Sequence, residues 1–363
     1  MPERLTRIAL LGAGLIGREH AARIGRHGEC TLHSVVDPTP AAAAWAAGQG
    51  LPCHATLDAL LNGPLPDAAI IATPNTLHVE QALALIRRGV PVLVEKPVAH
   101  TLEAGEALVR AQAQSGVPVL VGHHRRHSAA LSRAHATVQS GQLGRLVAVS
   151  TTVLFHKPDA YFDVAWRSEP GGGPILINLV HEIDALRWLA GEVVAVQARA
   201  SNATRGHAVE DTAAVLLEFA SGALGTLIVS DCAAAPRSWE QTSGENLSYA
   251  RDDTQDCLFL AGTRGSLAVP TMTLWQAEGA ASWFTPLQRR PVMAPEADPL
   301  TRQLDHFCDV VRGRAEPLVT AADALASLRV TLAVHEAATT GRRIDTRPAD
   351  AAQRSALVPP AQA

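Results

Sequence analysis

Three glycines in the segment LLGAGLIG, Gly12, Gly14 and Gly17, stand in GxGxxG spacing between a strand-like run and a helical run containing Glu19 to Arg26. In that setting the first glycine permits a tight turn, the second lets a pyrophosphate approach the backbone, and the third lets helix and strand pack closely. The helix that opens at Leu15 and Ile16 presents N–H groups and the positive end of its dipole to phosphate. The motif also requires an acid at the end of the next strand, and Asp37 closes LHSVVD twenty residues beyond Gly17. A carboxylate there accepts hydrogen bonds from both adenosine ribose hydroxyls and repels a 2′-phosphate, which favours NAD over NADP. Taken alone, Asp37 would be a turn cap before Pro38; the shared register of loop, strand and acid argues for the cofactor role.

A second set of charged residues ends the apolar run VPVLV with Glu95, Lys96 and Pro97. The carboxyl end of a strand is where ligands sit in doubly wound sheets. Successive strand residues face opposite sides, so Glu95 and Lys96 cannot both enter one pocket. GHHRRH (Gly122 to His127) holds three histidines, but its spacing matches no ligand pattern with a carboxylate partner, so no metal is expected there.

The elements that must position these groups follow a readable rhythm. RIALLG, TLHSVVD, AAIIAT, VPVLVE and VPVLVG alternate with Ala- and Leu-rich helical stretches, a βαβ pattern that implies a parallel sheet covered on both faces. Thr101 and Gly116 punctuate the ends of one such helix. After Gly122 the pattern changes. A helix over Ser128 to Ser140 precedes strand-like runs at Leu146 to Phe155, Val193 to Ser201, Ala213 to Phe219 and Ala223 to Ser230, with one long helix, Ile175 to Leu189, inserted early. The expected fold is therefore α/β plus α+β: an N-terminal Rossmann domain over 1–123, then an open-faced, largely antiparallel sheet domain over 124–345. Helical periodicity returns from Leu300 to Thr340, and 346–363, rich in Ala, Pro and Gln, reads as a loose tail.

At 363 residues the chain has room for two domains with separate cores. A formal charge of −4 provides no field for a nucleic-acid backbone. The five cysteines are odd in number, widely separated and without CxxC spacing, so neither a disulfide framework nor a zinc site is suggested. No apolar run at the start is long enough for a signal peptide or a membrane span. A cytoplasmic protein with reduced thiols is the expectation.

The glycine loop, ATPNTLH (Ala72 to His78), EKP and GGGPILINLVHEIDALRWLAG (Gly171 to Gly191) together resemble the Gfo/Idh/MocA family, the glucose–fructose oxidoreductase and inositol dehydrogenase group. The resemblance runs over nearly the whole chain, including TLAVHEAATTGRRI near its end. It implies a Rossmann domain followed by a sheet domain that assembles the protein into homodimers or homotetramers, with the active site between the domains. By position, Lys96 resembles the catalytic lysine and His181 the catalytic histidine. Arg126, His156 and Asp184 match places that line the sugar or polyol pocket, and Trp166 stands beside them as either pocket lining or a packed aromatic. Thr73, Pro74, Asn75 and His78 match the loop beside the cofactor, and Glu95 the acid near the nicotinamide ribose. A cis peptide before Pro97, common in the family, would aim Lys96 at the cleft.

The chain departs from the family where many relatives carry an aspartate four residues before the histidine; here that residue is Ile177. Asn178, three before His181, and Asp184, three after it, share its helix face and can orient the imidazole, but Asn cannot titrate. Oxidising a carbinol requires a group that accepts the hydroxyl proton. The expectation is that His181 exchanges it while Lys96 hydrogen-bonds the same oxygen, or the two with roles exchanged, in which case Lys96 as a neutral base needs a pKa depressed from about 10.4. The resulting function is an NAD-dependent oxidoreductase moving a hydride between the nicotinamide and a carbinol or carbonyl carbon of a sugar, inositol or related polyol. Two alternatives stand beside it: a dehydrogenase of a carboxylated cyclic diol or keto acid, contacted by Arg125, Arg126 and Lys157, and a non-catalytic NAD-binding sensor.

Overall fold

The computed structural model describes residues 4–295 and 297–348. The chain divides into two compact units, Met1–Ser128 with Ala297–Leu328 and Ala129–Glu296 with Arg329–Ala363. In the first, β1 (Thr6–Leu11), α1 (Leu15–Ile24), β2 (Cys30–Val36), α2 (Pro40–Gly48), β3 (Cys53–His54), α3 (Leu57–Leu61), β4 (Ala68–Ile71), α4 (Asn75–Ile86), β5 (Val92–Val94), α5 (Leu102–Ser115) and β6 (Val119–Val121) alternate without interruption. The strands form one parallel sheet in the order β3-β2-β1-β4-β5-β6. Every residue of β4, β5 and β6 is buried, as expected for strands covered on both faces. The order reverses between β1 and β4, so the loops leaving those two strands flank the point where doubly wound sheets bind ligands. Thr101 Oγ1 caps α5 at Ala104, and Gly116 ends that helix in the left-handed region, as the sequence predicts. The two-residue β3 leaves no mark in the sequence, because so short an edge strand carries no apolar run.

The second unit holds α6 (Ala129–Gln139), β7 (Leu146–His156), α7 (Pro174–Ile177), α8 (Leu179–Ala190), β8 (Val193–Ser201), β9 (Thr212–Phe219), β10 (Leu224–Ser230), β11 (Cys232–Arg237), α9 (Trp239–Thr242), β12 (Leu258–Gly262), β13 (Gly265–Val269), β14 (Thr273–Ala277) and β15 (Leu287–Pro291). Helices α10 (Pro299–Val311) and α11 (Ala321–Thr340) and strand β16 (Ile344–Asp345) are the last elements among the described residues. The large sheet runs β15-β14-β13-β12-β7-β10-β9-β8-β16, with β11 also paired to β7; only β7 and β10 are parallel. Burial alternates along β9 and β10. One face packs Val215, Leu217, Leu227 and Val229 with α8 residues Ile183 and Leu186. The other face leaves Leu216, Leu224 and Phe259 exposed.

Two expectations change. The long helix over Ile175 to Leu189 is broken at Asn178, which stands between α7 and α8. Residues 297–328, assigned by sequence to the second domain, belong to the first unit. There Asp298 accepts from Arg23 Nε at 2.6 Å, the Val319 carbonyl accepts from Val121 N–H at 2.9 Å, and Asp323 pairs with Arg126 at 2.5 Å. An amphipathic helix shows which of its faces is buried, but not which sheet buries it. Most of the tail expected over 346–363 lies outside the described residues, which end at Pro348. No helix among the described residues is long and apolar enough to cross a membrane.

Candidate functional site

The first unit builds its site from the loops after β1, β4 and β5. Gly12 has φ +88°, and a Cβ there would meet the Ala72 carbonyl oxygen at 2.6 Å. A Cβ on Gly17 would stand 2.0 Å from the Gly12 carbonyl oxygen, so α1 starts hard against the turn. Gly14, by contrast, faces open space, and the next residue, Leu15, is 87% exposed. No side chain caps α1, so the N–H groups of its first turn, over Leu15, Ile16 and Gly17, remain available to a phosphate. The residues present thus fit a dinucleotide.

Asp37 follows β2, and its carboxylate is held by three donors. Oδ2 accepts from Ala13 N–H at 2.9 Å, and Oδ1 accepts from Thr39 N–H at 2.9 Å and Thr39 Oγ1 at 2.7 Å. Burial alone would raise its pKa, but these hydrogen bonds outweigh burial and hold it below the usual carboxylate range. Asp37 therefore does more than the sequence suggests. It fixes the glycine loop through Ala13 and carries a full negative charge beside it.

Thr73, Pro74, Asn75 and His78 enter α4 from β4. The Thr73 hydroxyl donates to Gln81 Oε1 at 2.7 Å. His78, 1% exposed, sets Nε2 2.8 Å from the Thr73 carbonyl oxygen and Nδ1 2.9 Å from that of Pro97. It thereby ties the β4 loop to the loop carrying Lys96. Burial lowers its pKa despite the two carbonyls. The neutral ring donates to one carbonyl only.

Beyond β5, Glu95 is 5% exposed and Lys96 is partly exposed, and the Lys96–Pro97 peptide is cis as the resemblance implies. Glu95 turns inward. Oε1 lies 2.7 Å from His20 Nε2, and Oε2 accepts from Lys96 N–H at 3.2 Å. Burial pushes its pKa up, and the His20 hydrogen bond together with the charges of His20, Lys96 and His124 outweighs burial and lowers it. Sequence reasoning passed over His20. The available signal was a polar residue on the apolar face of α1, three before Arg23 and in line with Gly17 and Ile24. Arg126, expected at the substrate, is 4% exposed with its guanidinium on Asp323. The same short helical turn holds His127, whose pKa burial lowers to about 3.

The second unit builds its site around the break between α7 and α8. The His181 N–H donates to the Asn178 carbonyl oxygen at 3.1 Å at the start of α8. The Asn178 side chain does not simply serve His181, since its Oδ1 accepts from Lys157 Nζ at 3.0 Å. Lys157 is 6% exposed, 3.5 Å from Asp231, with its ammonium over the Tyr161 ring at 4.8 Å. Burial lowers its pKa, and Asp231 opposes that shift. Arg205, also missed in the sequence, donates through Nε to the other Asp231 oxygen at 2.9 Å and through Nη2 to the Lys157 carbonyl at 2.7 Å. His156, one residue before Lys157 at the end of β7, is exposed, as period-two alternation requires. Asp184 is 1% exposed and Trp166 52% exposed. His181 is partly exposed.

Comparison with known proteins agrees with this architecture. Residues 6–123 match the oxidoreductase family model described as an NAD-binding Rossmann fold, and 131–268 match the Gfo/Idh/MocA C-terminal domain. The chain is 31% identical over 347 residues to 1,5-anhydro-D-fructose reductase of Ensifer adhaerens, covering 93% of this chain and 98% of the relative. It is 34% identical over 240 residues to inositol 2-dehydrogenase 4 of Saccharopolyspora erythraea, 62% of this chain and 67% of the relative. The WlbA dehydrogenase of Bordetella pertussis, solved in complex with NADH and UDP-GlcNAcA, superposes with a TM-score of 0.75 at 28% identity, over 95% of this chain and 99% of that one. With a glycine loop that fits a dinucleotide, a β3-β2-β1-β4-β5-β6 sheet and these relatives, the chain belongs to the Gfo/Idh/MocA family of NAD-binding oxidoreductases.

Proposed function

We propose that this NAD-dependent oxidoreductase acts on a CH–OH group of a sugar, inositol or related polyol, with Lys96 and His181 as its catalytic residues. The observation that carries the reading is the environment of Lys96: it leaves β5 at the carboxyl end of the parallel sheet, its loop tied through His78 to the cofactor-side loop at Thr73. Bound NAD supplies the hydride acceptor. His181 takes the hydroxyl proton, and the Lys96 amine donates a hydrogen bond to the oxygen as negative charge develops on it. His156, Trp166 and Asn178 contact the substrate. Arg126, buried on Asp323, and Asp184, also buried, complete the residues assigned to the substrate.

The named substrates of the similar reductase and inositol dehydrogenase support the polyol class. A carboxylated diol or keto acid finds less support, because Arg126 and Lys157 already face the carboxylates of Asp323 and Asp231. The exposed apolar face of the large sheet, with Leu216, Leu224 and Phe259, is where a second copy of the chain docks to form the homodimer or homotetramer. The protein works in the cytoplasm, with no nucleic-acid or membrane partner.

The test is nicotinamide absorbance against a panel of inositols, sugars and carboxylated diols, with NAD and NADP in parallel. Lys96→Ala should lower turnover about 10²–10⁴-fold with NADH affinity unchanged. Unchanged turnover would refute the role of Lys96, and silence of the wild-type protein across the whole panel would favour the non-catalytic sensor.

A further inference from the structure

At the opposite end of the Rossmann sheet from the glycine loop, three donor residues that the sequence keeps far apart come together. His27 sits in the turn between α1 and β2, Cys30 is the first residue of β2, and Cys308 lies on α10. Their ligand atoms all lie within 4.8 Å of one another. Donor atoms around a tetrahedral zinc, with bonds of about 2.0–2.3 Å, stand about 3.3–3.8 Å apart. A contraction of about 1.0–1.5 Å at most closes the set. Cys30 pairs with Thr6 at the start of β1, whereas Gly12 follows the end of that strand. The cluster is therefore a full strand length from the phosphate-binding turn.

We propose that His27, Cys30 and Cys308 form a binding site for a thiophilic divalent cation, zinc above all, that staples α10 to the start of β2. Two soft sulfurs and one imidazole suit Zn²⁺ and exclude Mg²⁺ or Ca²⁺, which take oxygen donors. The surroundings fit this role. His27 Nδ1 accepts from the Glu29 N–H at 3.1 Å and so carries the lone pair, while Nε2 lies 2.7 Å from Asp305 Oδ1 and donates to it. A ligating histidine whose second nitrogen is held by a carboxylate is the usual outer-shell arrangement. The ion takes the place of the Glu29 N–H on Nδ1. Asp305 and Cys308 are three residues apart on one face of α10, so the same helix face supplies a ligand and its supporting acid.

Cys30 and Cys308 are 2% and 1% exposed, which shields them from bulk thiol chemistry. His27, at the rim, leaves the fourth position to water. Binding releases one proton from each thiol, and the two thiolates and neutral imidazole hold the ion with no change of oxidation state. The site contributes stability to the first unit and takes no part in hydride transfer.

The test uses the full chain, reduced and stripped with a chelator, then titrated with Co²⁺ as the spectroscopic probe and Zn²⁺ as competitor. One equivalent of Co²⁺ should give thiolate charge-transfer absorbance and the intense visible bands of tetrahedral cobalt, displaced by Zn²⁺. Cys308→Ser should abolish these bands, and Asp305→Asn should weaken Co²⁺ binding about 10–100-fold. Zn²⁺ should raise the thermal midpoint of the wild type but not of Cys308→Ser, with NADH affinity equal in both. If Cys308→Ser does not fold, His27→Ala at the rim carries the comparison. The proposal is overturned by absence of thiolate bands at one equivalent, by bands that survive loss of both cysteines, or by a Cys30–Cys308 disulfide in the air-exposed protein that leaves nothing to bind metal.

Discussion

His20 Nε2 lies 2.7 Å from Glu95 Oε1, a buried pair that joins the first helix of the Rossmann unit to the residue immediately before Lys96. His20 is 1% and Glu95 5% exposed, so neither has water as a substitute partner. Removing one member of such a pair leaves the other desolvated and unmatched, at a cost of about 3–5 kcal/mol. His20→Ala should lower the thermal midpoint by about 10 °C and raise the KM for NAD. His20→Gln, which keeps a donor, should recover much of the loss. Equal midpoints for His20→Ala and the wild type would show that the pair contributes nothing.

Stability should decline on the acid side in two stages. His78 and His127 are buried with folded pKa values held below 6.5, that of His127 at about 3. His127 faces His306, Arg302, His124 and Arg126, all of which disfavour its protonation. Between pH 6.5 and the folded value the unfolded chain binds a proton that the native ring refuses, so stability is lost as pH drops, by about 1.4 kcal/mol per unit for each such histidine. Glu95 and Asp37 have depressed pKa values, so their contribution is complete above about pH 4.5 and is lost below it. Urea midpoints across pH 4–8 should rise with pH to a plateau near 7, and His78→Gln should flatten the upper stage. A maximum near pH 5 would contradict the assignment.

Asp37 has two roles that substitution can separate. Its Oδ2 holds Ala13 N–H, and its proposed second role is to meet the adenosine ribose with its charge. Asp37→Ala should raise the KM for NAD about 10–100-fold, the worth of one lost charge-assisted hydrogen bond, and reduce discrimination against NADP. Asp37→Asn places an amide donor or a weaker acceptor against the Ala13 N–H, so it should recover little. The ratio of kcat/KM for NAD and NADP in each variant is the measurement; an unchanged ratio would remove Asp37 from cofactor choice.

The Lys157–Asn178 contact, 3.0 Å, connects the strand that ends at the proposed substrate site to the helix break before His181. Asn178→Ala should leave Lys157 to Asp231 alone and loosen the start of α8, lowering kcat about 10-fold with a smaller change in KM. Asp231→Asn leaves the Lys157 and Arg205 cations buried without their shared carboxylate, and should destabilise the protein by about 3–5 kcal/mol. Steady-state kinetics for the first and thermal unfolding for the second distinguish a positioning contact from a structural one.

Much of this was legible along the chain, because local physics writes it there. The unbroken apolar runs at Leu10, Ile70, Leu93 and Leu120 predict parallel strands, and the GxGxxG spacing with Asp37 predicts the nucleotide loop, since turn geometry and strand length are fixed by a few neighbouring residues. The span of β8, the start of β7 and the caps of α5 follow for the same reason. What the sequence could not settle depends on long-range packing. Nothing in His20 names Glu95 as its partner, nothing in Lys157 names Asn178, and nothing in α10 shows that it packs with α1 rather than with the later sheet. The cysteines read as unrelated because Cys30 and Cys308 are separated by most of the chain. Only folding brings their sulfurs together, since side-chain encounters of that range are decided by which buried faces complement each other and not by spacing along the backbone.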